Sequence, residues 1–159
     1  MLRLRSGITV LALLLTAAAS GEPPSKAEKA IEYRHSVYHV IAWNFVPMAA
    51  AATGKIPYDK DAFLTQATRV ALLAPMLPEG FPAGSYVAGK TEAKPAIWKE
   101  RADFDELMHA LATKSAALAE VAKSGDIERI KPAFNELAQA CKNCHKKFRE
   151  EESEGHTHH

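Results

Sequence analysis

The chain has 159 residues, 47% of them hydrophobic and 25% charged, which is one ordinary domain and excludes a disordered, collagenous or multi-span membrane protein. Twenty Lys and Arg against nineteen Asp and Glu leave a formal charge of +1, without the concentrated positive charge that a nucleic-acid binder needs. The two cysteines, Cys141 and Cys144, are too few and too close together for a disulfide framework, so their role is local chemistry.

Residues 1–19 carry Arg3 and Arg5 ahead of an uncharged apolar run from Ile8 to Leu15, then Ala17, Ala18 and Ala19. That is the layout of a secretory signal peptide, and its apolar stretch is shorter than the roughly 20 residues that span a bilayer. Cleavage after Ala19, with Gly21 as the other choice, removes two arginines and no acid, so the formal charge changes from +1 to −1. The expected destination of residues 20–159 is the periplasm, an oxidising compartment, with no membrane attachment after cleavage.

From Lys26 to Ala52, apolar residues recur at helical spacing: Ile31, Tyr38, Phe45 and Ala52 lie seven apart, with Ile41 and Met48 between them. Gly54 and Pro57 end this helix. A second run, Lys60 to Ala74, places Phe63, Ala67, Val70 and Leu73 on one face. Residues 75–96 hold four prolines and three glycines and read as a long irregular connection. A third helix begins near Ile97 and Trp98, carries Phe104, Leu107, Leu111, Leu118 and Val121 inward, and breaks at Ser124-Gly125. Asp126 caps a fourth, with Ile127, Ile130, Phe134, Leu137, Ala138, Cys141, Cys144 or His145, and Phe148 inward. Pro132, about six residues in, is expected to bend it. No run reads as a strand. The fold class is all-α, an antiparallel up-down-up-down four-helix bundle over residues 20–150 of the kind that encloses a cofactor between facing helices. Residues 151–159 form a tail without apolar side chains, whose His156, His158 and His159 read as solvated rather than as a metal site.

The chemistry lies in Cys141-Lys142-Asn143-Cys144-His145, a C-x-x-C-H string, the attachment signature of c-type haem. On a helix, positions i, i+3 and i+4 share a face, so two sulfurs reach the two vinyl groups of one porphyrin while the His145 imidazole reaches the iron. A thioredoxin-like redox pair needs a strand–helix context that is missing, and a structural zinc site needs a fourth ligand. An inert disulfide leaves His145 unexplained. The expected cofactor is therefore one covalent haem c per chain.

No methionine follows His145, so any group on the other face of the iron comes from an upstream helix. The first helix offers Arg34, Tyr38, Ile41, Phe45 and Met48. Arg34 on an apolar seam needs an anion, such as a haem propionate, or a route to water at the bundle's open end. If it marks the propionate edge, Tyr38, one turn on, comes near the iron. Met48 is then about 15 Å further along the axis. His35, His39 and His109 read as surface or edge histidines. Arg149, four residues past His145, either tunes the proximal ligand or complements the helix dipole.

These strings together resemble the cytochrome c' family of class II c-type cytochromes. The resemblance runs from Ile31-Glu32-Tyr33-Arg34 through Asn44-Phe45, Met48 and Gly54-Lys55-Ile56-Pro57-Tyr58-Asp59, then Lys94-Pro95-Ala96-Ile97-Trp98, to Cys-x-x-Cys-His-x-x-Phe-Arg. It implies His145 as proximal ligand, Cys141 and Cys144 as thioether cysteines, Arg149 as basic neighbour of the proximal histidine, Arg34 beside the propionates, and Tyr38 as unligated distal residue. It further implies a high-spin five-coordinate haem that binds nitric oxide or carbon monoxide, and a homodimer formed through the first two helices. The expected function is sequestration or transport of nitric oxide without enzymatic turnover, since no acid–base pair accompanies the distal site. The alternative is a low-spin electron-transfer cytochrome serving a redox partner protein, with Met48 or His35 as second ligand.

Overall fold

The computed structural model describes residues 22–150; the expected signal peptide and the histidine-bearing tail lie outside the described residues. Helix α1, Lys26–Ala52, opens on a reciprocal cap: Ser25 Oγ accepts from the Glu28 N–H (3.2 Å) and the Glu28 carboxylate accepts from the Ser25 N–H (2.9 Å). It ends at Thr53 and Gly54, the latter at φ +74. Helix α2, Lys60–Leu73, is capped by Asp59, whose carboxylate accepts from the Asp61 and Ala62 N–H groups.

The stretch 75–96 is more ordered than its composition suggests. Its first part is a 3-10 helix, Ala74–Gly80, continuing directly from α2. Pro75 and Pro78 have the fixed φ this tighter winding uses, and a first-turn proline gives up no helical hydrogen bond. The third predicted helix is divided. A single turn, α3 at Ala96–Lys99, stops at Glu100 (φ −113, ψ 49), and α4 runs from Arg101 to Ala122. The break serves two anchors on either side of it: the Trp98 indole N–H donates to the Pro82 carbonyl (2.9 Å) and Arg101 donates to the Phe81 carbonyl (2.7 Å). Helix α5, Ile127–Phe148, is capped by Asp126 and is continuous through Pro132, which is exposed, so the carbonyl it leaves without a partner lies on the solvent side.

Helices α1, α2, α4 and α5 make the up-down-up-down bundle expected from the sequence. Buried positions advance in steps of three and four, as in α4 with Phe104, Met108, Leu111, Ser115, Leu118 and Ala122. Two expected inward residues there, Leu107 and Val121, are half-buried, and their neighbours Met108 and Ala122 fill the core instead. In α1 the fully buried line is Ile31, Arg34, Val37, Asn44, Met48 and Ala51, while Tyr38, Ile41 and Phe45 occupy the adjoining, half-buried line. An aromatic chain knits the centre: Phe45 stacks on Phe134 at 5.0 Å, and Phe81, Phe104 and Phe148 meet edge to face. No helix of the described residues is long and apolar enough to cross a membrane.

Candidate haem site

Of the neighbouring pairs among the four bundle helices, α1 and α5 touch least, and a cavity of about 750 Å³ opens between them. That volume is in the range of small-molecule and cofactor sites, about 300–1,000 Å³. Helix α5 contributes Leu137, Cys141, Cys144, His145 and Phe148 to its wall, with Arg149 immediately past its end. Helix α1 contributes Arg34, His35, Tyr38, His39, Ile41, Ala42 and Phe45. Aliphatic and aromatic side chains of α2, the 3-10 helix and α4 close the back. All six residues expected at the site from the sequence therefore line one cavity. Met48 is fully buried outside it, and His109 is exposed on α4.

The C-terminal turn of α5 is clamped. The Lys94 N–H donates to the Phe148 carbonyl (2.9 Å), the Glu150 N–H donates to the Glu92 carbonyl (2.7 Å), and Ala93 and Arg149 form an antiparallel bridge. Arg149 Nε also meets the Glu92 carboxylate at 2.7 Å, so its cation is directed toward the cavity rim by an acid from the loop. Sequence periodicity gives no sign of Glu92, because the loop that carries it has none.

Arg34 departs from the reading in which it snorkels out to water. It is 1% exposed and does not reach water. One terminal nitrogen donates to the Gly80 carbonyl (2.9 Å) and the Ser85 carbonyl (3.2 Å), the other to Thr91 Oγ1 (2.9 Å), and the guanidinium lies 4.8 Å from the Phe81 ring centre. It thus ties α1 to the loop between the 3-10 helix and α3. Its Nε, however, is buried with no hydrogen-bond partner, on a residue that lines the cavity. Gly80 permits this close approach, since a Cβ there would stand 2.5 Å from Arg34 Cβ. Gly80→Ala is expected to push the loop off α1 and cost about 1–3 kcal/mol, read as a lowered denaturation midpoint; an unchanged midpoint would show that the contact yields freely.

The electrostatics suit a covalent haem. Burial raises the Cys141 thiol, and burial with the neighbouring Cys141 pushes Cys144 up to about 11, so both sulfurs are protonated thiols at neutral pH. Burial and the Arg149 charge hold His145 below its ordinary value, partly offset by Glu92, leaving the neutral imidazole that ligates a metal. Burial and the two cysteines raise the Tyr38 phenol, so it stays protonated and able to donate a hydrogen bond. The donor set fits a c-type haem: two thiols and an imidazole on one helical face, and the unpartnered Nε of a buried arginine for an acidic substituent. Cys141, Cys144 and His145 would hold the group, with Arg34 and Arg149 at its charged edge.

Known proteins agree. The sequence profile of the Cytochrome C' family matches residues 29–149. The cytochrome c' of Rubrivivax gelatinosus is 38% identical over 125 residues, covering 79% of this chain and 97% of that protein. The solved cytochrome c prime from Shewanella frigidimarina superposes with a TM-score of 0.77 at 43% identity, over 80% of this chain and 99% of that one. A variant of the Alcaligenes xylosoxidans cytochrome c prime, solved as a nitric oxide complex, superposes at 0.73 with 27% identity over 80% of this chain and 98% of its own; another variant of it was solved with carbon monoxide. With the haem-attachment string on α5, the cavity beside it and this match over most of its length, the chain belongs to the cytochrome c' family and is a c-type haem protein.

Proposed function

We propose that this protein is a periplasmic gas-binding cytochrome whose haem iron is high-spin and five-coordinate, and that it sequesters or carries nitric oxide. The observation that carries this reading is the α1 side of the cavity. On that wall Tyr38, Ile41 and Phe45 are half-buried, the thioether of Met48 is fully buried elsewhere, and His35 and His39, which also line it, are exposed. When bound, the haem supplies an iron with one open coordination position, the chemistry that takes up a diatomic gas. The remaining work belongs to the protein. His145 holds the proximal side, the Tyr38 ring excludes bulky or charged ligands, and its protonated hydroxyl is available to a bound gas. The nitric oxide and carbon monoxide complexes of the Alcaligenes xylosoxidans protein support the same ligand class here.

Tyr38→Ala is expected to speed carbon monoxide association by about tenfold, a barrier change of about 1.4 kcal/mol, in stopped-flow traces. An unchanged rate would remove Tyr38 as the gate.

Export to the periplasm rests on the signal-like residues 1–19. Homodimerisation through α1 and α2 is supported by an apolar surface on those helices: Trp43 is 80% exposed, Val46 64% and Leu72 69%. Trp43→Glu is expected to halve the mass seen by light scattering, and a wild-type chain that is already monomeric would refute the dimer.

A further inference from the structure

We propose that His35 and His39 form a bidentate surface site for a divalent transition-metal ion other than the haem iron, at the exposed edge of the haem cavity, with copper(II) bound most tightly. The two histidines are four residues apart on α1, one turn, so both side chains project from the same helical face. That i, i+4 spacing on a helix is the one by which two imidazoles share a single metal ion. Their ring centroids are 6.5 Å apart and tilted by 35°. An ion held by one nitrogen of each ring at about 2.0–2.1 Å needs centroids about 5 Å apart, which a small rotation of two exposed side chains provides.

The surroundings also fit. Both histidines are exposed and line a surface groove with Glu28, Glu32, Ser36 and Lys90. Lys90 is neutralised by its ion pair with Glu28, which leaves Glu32 as the groove's other carboxylate beside an incoming cation. The helix under the pair is fixed by the Ser25–Glu28 cap at its start and by two buried residues, Arg34 just before His35 and Val37 between the histidines, so the two ligands are held on a rigid element. Among the described residues no group of three or more His, Cys, Asp or Glu side chains is arranged to hold a metal. The site is therefore a two-nitrogen chelate completed by water, with affinity rising toward copper along the usual divalent series and imidazole as a suitable ligand. His35 and His39 both also line the haem cavity, so an ion held by the pair sits where the groove meets that cavity.

The test uses the full haem-loaded protein with His156, His158 and His159 replaced by alanine, so that the tail cannot bind. Calorimetric titration with copper(II) chloride in a non-chelating buffer at neutral pH is expected to show one ion per chain with micromolar dissociation, and zinc chloride to bind more weakly. Adding His35→Ala or His39→Ala is expected to weaken copper by about tenfold or more, since a chelate becomes a single ligand. Helical circular dichroism and the haem spectrum confirm that each variant is folded. Absence of binding in the parent, or the same binding after both histidines are replaced, overturns the site.

Discussion

Replacing both Cys141 and Cys144 with serine is expected to give a haem-free chain that keeps helical circular dichroism but loses its near-ultraviolet signal and its cooperative melting. The reason is the cavity. Its walls are mostly apolar side chains from every helix of the bundle, and α1 and α5 scarcely touch across it. Left without its occupant, a largely apolar cavity of about 750 Å³ forfeits the packing contacts of its walls and exposes them to water. Net stability is only about 5–15 kcal/mol, so a loss on that scale is expected to let the helices collapse inward and lose their fixed packing. A haem-free variant that melts cooperatively at the holoprotein's temperature would show that the bundle does not depend on the group it encloses.

Arg34→Met is expected to cost about 2–4 kcal/mol, seen as a melting temperature lower by roughly 10 °C. Methionine keeps most of the buried volume but donates nothing. The carbonyls of Gly80 and Ser85 and the hydroxyl of Thr91 then lose the donor they share, and Phe81 loses the cation beside its ring. The damage should reach the haem as well, because the loop released from α1 leads to Glu92 and Ala93, which clamp the end of α5. A variant with unchanged melting would mean that the loop finds other donors and that Arg34 acts only toward the haem.

The motif cysteines and Arg34 mark how much of the site is legible in the sequence. The motif was local, since Cys141, Cys144 and His145 fall on one face by helical geometry alone, and the bundle followed from four amphipathic runs punctuated by glycine and proline. The partners of Arg34 were not legible. They are backbone oxygens of a loop without periodicity, and only the fold brings residue 80 to residue 34. The two adjoining lines of α1, one buried and one half-buried, have a similar origin. Its sequence pattern marks one apolar stripe, but the helix serves two surfaces, the packed core through Val37 and Met48 and the cavity through Tyr38, Ile41 and Phe45. The division at Glu100 was also hidden, because residues 96–122 carry helical periodicity on both sides of it.

The most direct test of the functional reading is the optical spectrum of the reduced protein before and after carbon monoxide. An open coordination position predicts broad, unsplit visible bands in the reduced form and a large change when carbon monoxide binds. Sharp, split α and β bands with no response to the gas would mean a second strong ligand on the iron and would contradict the account.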